Sequence, residues 1–221
     1  MSYNIAIDGP AGAGKSTIAK KIAKELSYIY VDTGAMYRAM ALFFLRQGIR
    51  PEETERISAE CENANITIEY KYGEQQVLLN GENVNGLIRT EEVGNMASAT
   101  SVNADVRRKM VQLQQQLAKT TDVIMDGRDI GTKVLPDATL KIYLTASSRT
   151  RATRRYQELV AKKIDCDLDT IEKDIIDRDY RDMHRENSPL MQAEDAILVD
   201  SSDMTIDEVV ARVITLFKER M

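Results

Sequence analysis

Short apolar runs alternate with segments of helical periodicity along most of the chain. Runs with the length and composition of buried strands lie at residues 3–7, 28–31, 121–125, 140–144 and 196–199. Apolar residues three or four positions apart predict helices over about 18–26, 35–47, 106–117, 148 onward, 169–180 and 206–217. Another helix, of about a dozen residues, is expected to begin at Pro51. Strands that alternate with helices predict an α/β fold with a doubly wound, five-stranded parallel sheet and ligands at the carboxyl ends of its strands.

One stretch interrupts this alternation. Residues 66–70 and 75–79 have the character of half-buried strands, with a turn expected around Gly73 and a hairpin at Asn80-Gly81. An antiparallel meander of this kind predicts a small lobe inserted into the parallel fold. The expected lobe covers residues 61–100, and the expected core covers residues 1–60 and 101–221.

The first predicted strand and helix are joined by a phosphate-binding loop pattern, G-x-x-x-x-G-K-[ST]. The loop consists of Gly9, Pro10, Ala11, Gly12, Ala13, Gly14, Lys15 and Ser16, with Thr17 following. In such a loop the backbone N–H groups surround phosphate oxygens, the lysine reaches the transferred phosphate and the hydroxyl binds Mg²⁺. A flexible glycine-rich loop is the alternative, but the flanking strand and helix supply the context that the motif needs. The pattern therefore predicts a nucleoside triphosphate site.

A second charged segment, Asp126-Gly127-Arg128-Asp129, closes the third predicted strand. Asp126 has the position of a carboxylate that holds Mg²⁺ directly or through water. The alternative for Asp126 is a solvated loop aspartate. Because parallel strands end at the same edge of a sheet, we expect the loops after the first three strands to converge there.

Arginines are clustered on two predicted helices. The first cluster is Arg149, Arg151, Arg154 and Arg155, and the second is Arg178, Arg181 and Arg185. Asp177, Asp179 and Asp182 interleave with the second cluster, so an ordinary salt-bridged surface helix is one interpretation. Phosphoryl transfer is the other, because one arginine aimed at the equatorial oxygens accelerates it by ~10³–10⁵, or about 4–7 kcal/mol. Arg38 adds a cation after the second strand.

Composition narrows the functional class. The chain has 221 residues and a formal net charge of −5, which argues against a general nucleic-acid binder. Its two cysteines, Cys61 and Cys166, are isolated, with no metal-ligand spacing and no disulfide framework, and His184 is its single histidine. With no apolar run of membrane-spanning length and no room for a signal peptide before the first strand, we expect a cytoplasmic enzyme that associates with no membrane.

Several segments together resemble the bacterial cytidylate kinase family. They are Ile7 to Thr17, Asp32-Thr33-Gly34-Ala35-Met36-Tyr37-Arg38, Asp126 to Thr132, Arg178-Asp179-Tyr180-Arg181-Asp182 and Ser188-Pro189-Leu190. The resemblance runs from about Asn4 to the last helix. It implies a P-loop kinase that phosphorylates CMP, and usually dCMP, with ATP and Mg²⁺. It also implies a monophosphate-binding role for the lobe and an arginine-rich lid over about residues 148–168.

The resemblance assigns residue roles. The acceptor phosphate would be bound by Thr33, Arg38 and Arg128, with Arg185 closing over it, the pentose by Arg178 and Asp182, and cytosine by Ser98, Arg107 and Asp129. Phosphoryl transfer would depend on Lys15, Arg128, Arg151 and Arg155. ATP would be bound by residues 9–17 and Arg154, and Mg²⁺ by Ser16 and Asp126. The motif leaves open which lid arginine touches the transferred phosphoryl. Taken alone, Ser98 could satisfy a helix end and Arg107 could be a surface residue.

Two other classes remain as alternatives. An ATP-dependent kinase for a non-nucleotide metabolite is disfavoured, because a neutral acceptor needs a base more than it needs cations. A GTPase-type switch is disfavoured because the sequence contains no Asn-Lys-x-Asp segment. We expect ATP and CMP or dCMP as partners, no nucleic acid polymer, and a monomer.

Overall fold

The computed structural model describes residues 2–71 and 74–221. The chain divides into two compact units, one extending up to Tyr30 and continuing from Thr121 onward, and the other comprising Val31–Thr120. The strands are β1 (Asn4–Asp8), β2 (Ile29–Asp32), β3 (Ile66–Lys71), β4 (Glu74–Leu79), β5 (Glu82–Asn83), β6 (Val123–Gly127), β7 (Leu140–Thr145) and β8 (Ile197–Asp200). The α-helices are α1 (Lys15–Leu26), α2 (Thr33–Arg46), α3 (Thr54–Glu60), α4 (Glu91–Thr100), α5 (Ala104–Thr120), α6 (Ser148–Ala161), α7 (Leu168–His184) and α8 (Ile206–Lys218).

The predicted five-stranded sheet is present, with strand order β2-β6-β1-β7-β8. β1 pairs in parallel with β6 on one side and with β7 on the other, and β7 pairs in parallel with β8. The strand order therefore reverses at β1. In an open parallel sheet, ligands bind at the carboxyl edge beside such a reversal. The phosphate-binding loop follows β1 directly and lies at that point.

Helices α1 and α8 cover one face of this sheet. Ile18 and Ile22 on α1, and Val213 and Phe217 on α8, are buried in one cluster with the β1 and β7 side chains. These are the apolar positions that the helical periodicity predicted. Their burial anchors the helix that begins at Lys15, so the end of the phosphate-binding loop is fixed to the core.

The second unit contains the antiparallel sheet β3-β4-β5. β4 and β5 are joined by Asn80-Gly81, and Leu79 pairs with Glu82. Asn80 and Gly81 have φ values of 51° and 85°. Positive φ at both central residues is the geometry of a type I′ hairpin turn, so the Asn-Gly prediction is confirmed. The turn expected around Gly73 lies outside the described residues.

One local prediction is wrong, and two elements were not predicted. The helix after Gly48 begins at Thr54 rather than Pro51 and has 7 residues, followed by a 3₁₀ turn at Cys61–Asn63. Pro51 instead lies in a turn in which the Glu53 carboxylate accepts a hydrogen bond from the Arg50 N–H. The lobe also contains helix α4, which the strand-dominated pattern did not predict. A short π-helix at Ile130–Val134 was missed as well.

Candidate active site

The phosphate-binding loop is tightly fitted between β1 and α1. Gly9 has φ of 149°, and a Cβ there would overlap the backbone carbonyl of Leu144 on β7. Only glycine fits this approach without moving β7. Lys15 is buried, and its Nζ donates to the Pro10 carbonyl at 2.7 Å. The ammonium thus lies across the loop, where phosphate oxygens would meet it.

Asp126 is buried at the end of β6 and is held by two hydroxyls. Ser16 Oγ donates to Asp126 Oδ2 at 2.8 Å, and Tyr30 Oη donates to Oδ1 at 2.8 Å. Asp126 is therefore not a solvated loop residue. Ser16 and Asp126 offer hard oxygen ligands side by side, which is a set that suits Mg²⁺ completed by phosphate and water. Within the described residues no group of three or more His, Cys, Asp or Glu could hold a metal alone.

Asp8 closes β1 and is fully enclosed. Its two oxygens accept the backbone N–H groups of Ile130 and Gly131 at 2.8 and 2.7 Å. Burial raises the pKa of Asp8 to about 6, against the effect of these hydrogen bonds. Burial also lowers the pKa of Lys15 to about 7, with the Arg128 guanidinium acting in the same direction. The carboxyl edge of the sheet therefore holds several closely spaced buried charges.

Arg128 is oriented by helix α7. Its Nε donates to Asp182 Oδ2 at 2.7 Å, and its Nη1 donates to the Gly127 carbonyl at 3.3 Å. Although burial acts in the opposite direction, Arg128, Arg178 and Arg185 hold the pKa of Asp182 below its usual value. Asp182 thus stays ionised and keeps the guanidinium of Arg128 fixed beside the strand end.

Asp129 lies beside Arg185. Arg185 Nη2 is 3.8 Å from Asp129 Oδ1, and both side chains are buried. Arg185 Nε also donates to the Ser188 carbonyl at 2.6 Å, and the Leu190 N–H donates to the Asp182 carbonyl at 2.8 Å. The Ser188-Pro189-Leu190 segment therefore ends α7 and orients Arg185. The structure brings Asp126, Arg128, Asp129, Asp182 and Arg185 together near the phosphate-binding loop.

Three arginines of α6, the helix predicted to belong to a lid, have different environments. Arg151 is buried and donates to the Ala11 and Ala146 carbonyls at 2.7 and 2.9 Å. Arg154 donates to the Ser201 carbonyl at 2.6 Å, whereas Arg155 is exposed and pairs with Glu158. Arg154 and Arg155 do point in different directions, as expected for adjacent helical residues. Which of the three engages ATP stays a prediction.

In the second unit, Asp32 organises the start of α2. Its carboxylate accepts the Ala35 N–H at 2.8 Å and pairs with Arg38 at 3.3 Å and with Arg89 at 3.4 Å. Thr33 is the buried first residue of the helix. Two cations at a helix N-terminus form a setting that favours a phosphate group.

The other two predicted substrate residues of this unit, Arg107 and Ser98, both bind Ser101. Arg107 is buried on α5, where its Nη1 donates to the Ser101 carbonyl at 3.1 Å and its guanidinium lies 5.7 Å from the Tyr37 ring centroid. Ser101 Oγ donates to the Ser98 carbonyl at 3.0 Å. Arg107 is therefore not an ordinary surface residue. Ser98 is half-buried on α4.

Four residues with structural importance at these sites were not singled out from the sequence: Asp8, Tyr30, Arg89 and Asp179. The position of Asp8, directly before the phosphate-binding loop, is a sequence feature that could have identified it. Asp179 was treated only as an acid interleaved with arginines. In the structure it is buried and accepts the Ala11 N–H at 3.1 Å.

Comparison with known proteins gives consistent matches over nearly the whole chain. A family model described as cytidylate kinase matches residues 5–219. A cytidylate kinase of Caldicellulosiruptor saccharolyticus is 53% identical over 214 residues, which are 97% of this chain and 95% of the relative. A cytidylate kinase of Streptococcus pneumoniae is 47% identical over 221 residues, which are 100% of this chain and 99% of the relative.

Solved structures agree in fold. A gluconokinase from Sinorhizobium meliloti matches with a TM-score of 0.52 and 12% identity, covering 98% of this chain and 92% of its own. A shikimate kinase from Bacteroides thetaiotaomicron matches with a TM-score of 0.51 and 14% identity, covering 98% of both chains. At this identity the likeness concerns the fold alone. Within the described residues, no helix has the length and apolar character needed to cross a membrane.

Proposed function

The chain belongs to the cytidylate kinase family, and from that premise we propose that it transfers the γ-phosphoryl group of ATP to CMP, and also to dCMP, giving CDP or dCDP and ADP. The observation that carries this proposal is the cluster at the carboxyl edge of the sheet. There the phosphate-binding loop, Ser16 with Asp126, and Arg128 with Asp182 belong to one compact unit. This combination suits a reaction between two phosphates.

Residues of the phosphate-binding loop would bind the donor. Gly9 to Thr17 surround the phosphate chain of ATP, and Lys15 would neutralise charge at the transferred group. The Lys15 ammonium has three donors, so it can keep the Pro10 carbonyl and still reach a phosphate oxygen. Ser16 and Asp126 would hold Mg²⁺, Asp126 directly or through water. When bound, Mg²⁺ supplies charge neutralisation and orientation of the phosphate oxygens.

Arginines would hold the acceptor. We assign its phosphate to Thr33, Arg38, Arg128 and Arg185, its pentose to Arg178 and Asp182, and its base to Ser98, Arg107 and Asp129. A phosphate oxygen of CMP attacks the γ-phosphorus, and the bond to the β–γ bridging oxygen breaks. No general base is required, because the acceptor phosphate is already largely ionised near neutral pH. Catalysis then comes from positioning and charge neutralisation.

Base selection follows from hydrogen-bond chemistry. Cytosine presents an amino donor at N4 and acceptors at N3 and O2. A carboxylate such as Asp129 suits the donor and an arginine such as Arg107 suits the acceptors. Uracil would place an acceptor opposite the carboxylate, and a buried unpaired polar group costs about 1–3 kcal/mol. We therefore expect CMP to be preferred over UMP. The inserted lobe and the lid would close to exclude water during transfer.

The proposal is tested by following ADP formation from ATP with CMP, dCMP, UMP, AMP, shikimate and gluconate as acceptors. We expect turnover with CMP and dCMP and far slower reaction with the others. Lys15→Met and Arg128→Ala should each lower kcat/KM by at least about a hundredfold, since each removes a cation that faces phosphate. Near-normal turnover in both variants would overturn the assignment. Lys21→Met, at an exposed position on α1, serves as the matched control.

A further inference from the structure

We propose that Asp179, acting with Arg151, is a positioning residue that sets the backbone of the phosphate-binding loop for ATP. The proposal rests on the proposed function only in taking this loop as the ATP site. It assigns to helix α7 a role in ATP binding, besides the orientation of Arg128 by Asp182 on the same helix.

The peptide group between Pro10 and Ala11 is held at both ends. Its carbonyl accepts from Lys15 Nζ at 2.7 Å, and its N–H donates to Asp179 Oδ1 at 3.1 Å. In a trans peptide the C=O and N–H point in opposite directions, so these two side chains grip the group from opposite sides. A rotation of this peptide would therefore break both contacts and move the carbonyl that locates Lys15.

The next peptide group is held by the partner of Asp179. Arg151 Nη1 donates to the Ala11 carbonyl at 2.7 Å and lies 2.6 Å from Asp179 Oδ2. Arg151 Nε donates to the Ala146 carbonyl at 2.9 Å, which ties the guanidinium to the end of β7. The N–H and the C=O of Ala11 are thus bound by the two members of one ion pair, which are contributed by α7 and α6.

Stability alone is a poor explanation for this pair. Both side chains are almost wholly buried, with 7% and 11% of their surfaces exposed. The desolvation of two charges offsets much of their attraction, and apolar residues of similar volume often replace such pairs without loss. Apolar side chains could not, however, accept the Ala11 N–H or donate to the Ala11 carbonyl. The feature that only the ion pair supplies is the orientation of the two peptide groups.

Asp179→Asn is the sharpest single change. The amide keeps one oxygen and has an NH₂ group in place of the other, so in the orientation of the Asp179 side chain it offers an acceptor to either Ala11 or Arg151 and not to both. One of these donors must then face the NH₂ group. The matched control is Asp177→Asn, which makes the same chemical change at an exposed position on the same helix.

The measurement is the equilibrium affinity for Mg²⁺-ATP by titration calorimetry without acceptor, followed by KM for ATP and for CMP. We expect Asp179→Asn to weaken ATP binding by roughly tenfold or more, with KM for CMP changed less than about threefold, and Asp177→Asn to match the wild type. ATP affinity within about twofold of the wild type in folded Asp179→Asn would overturn the proposal. So would equal losses for ATP and CMP that follow the unfolded fraction.

A second variant separates positioning from folding. The double substitution Arg151→Met with Asp179→Leu removes both charges, so no buried charge is left unpaired. We expect its urea midpoint to be close to that of the wild type, while its affinity for ATP is lower than that of the wild type. A stable double variant with wild-type ATP affinity would overturn the proposal. Because the calorimetric titration with Mg²⁺-ATP contains no acceptor, its result does not depend on whether CMP is the acceptor.

Discussion

At the scale of single residues, two buried carboxylates at the same sheet edge have opposite environments. Asp182 faces three arginines, and its pKa is lowered in spite of its burial. Asp8 faces two backbone N–H groups, and burial dominates, so its pKa rises to about 6. In this site, neighbouring cations offset the cost of burying an ionised carboxylate more completely than backbone N–H groups do. Asp8 therefore supplies a test of how the site depends on pH.

The sign of the Asp8 effect follows from its two pKa values. The carboxyl binds its proton more tightly in the folded protein than in the unfolded chain, where the pKa is 3.8. Its contribution to stability is fully present below the unfolded value and is lost as pH rises through about 6. We expect the difference in unfolding free energy between wild type and Asp8→Asn to fall by about 2–3 kcal/mol from pH 4 to pH 7.

Urea unfolding at a series of pH values measures this difference. Groups common to both chains cancel in the comparison, so the pH-dependent part reports Asp8. Asp137→Asn, which makes the same chemical change at an exposed position in the same unit, is the control. A wild-type minus Asp8→Asn difference that is constant or rises with pH would contradict the prediction.

Sequence reasoning found the residues of short motifs and missed those whose partners are distant. Lys15 and Ser16 belong to a pattern of fixed spacing. Asp8 and Asp179 bind backbone groups 122 and 168 positions away, so local spacing does not reveal these contacts, although Asp8 directly precedes the phosphate-binding loop. Their importance depends on which strands and helices lie side by side, and that is a property of the fold.

At the scale of elements, helix α8 shows why periodicity was a good guide. Its inward residues recur at helical spacing, and Phe217 is almost fully buried among them. The Phe217 ring makes edge-to-face contacts with Tyr3 and Tyr28, at centroid distances of 6.2 and 5.8 Å. A helix that must bury one face leaves a strong signal in the sequence.

We expect Phe217→Ala to reduce the unfolding free energy by about 3–5 kcal/mol, because it leaves a cavity and removes both ring contacts. The kcat of the folded fraction should be unchanged, since the residue lies under the sheet and not at its carboxyl edge. Urea unfolding and CDP formation measure the two quantities. Arg212→Ala, exposed on the same helix, should change stability by less than about 0.5 kcal/mol. An unfolding free energy of Phe217→Ala within 1 kcal/mol of the wild type would show that the rings do not anchor α8.

The sequence analysis misplaced or missed helices where turns, caps or distant contacts, and not hydrophobic periodicity, determine the backbone. Pro51 is acceptable in the first turn of a helix, but the turn around Glu53 delays the helix to Thr54. Helix α4 begins with Thr90 as its N-cap, whose hydroxyl accepts the Val93 N–H. Its sequence follows a hairpin closely, so the strand pattern masked it. The π-helix at Ile130–Val134 is held by Asp8, a partner far away in sequence.

At the scale of the whole molecule, the overall charge and the local charges have opposite signs. The net charge is −5, yet Lys15, Arg128, Arg178 and Arg185 all lie in the first unit, either near the end of β1 or on and directly after α7. Composition argued only against a general nucleic-acid binder, whereas the cationic cluster followed from motif positions. The sheet and the inserted antiparallel strands were predictable. The strand order depends on long-range pairing and was not predicted, and the lobe bounds of residues 61–100 stay a prediction.

The residues proposed to bind ATP and Mg²⁺ all belong to the first unit, so ATP should stabilise that unit against unfolding. A ligand that binds only the folded chain at a hundred times its Kd contributes about 2.7 kcal/mol. At that concentration we expect Mg²⁺-ATP to raise the free energy of unfolding in urea by that amount. ATP with EDTA, at the same ATP concentration, should raise it less. Far-UV circular dichroism is the suitable probe of unfolding, since the chain contains no tryptophan for a fluorescence signal.

Ser16→Ala should bind ATP with little difference between Mg²⁺ and EDTA, because the hydroxyl that would ligate the ion is removed. Equal stabilisation of the wild type by ATP with Mg²⁺ and with EDTA would remove Ser16 and Asp126 from the proposed metal site.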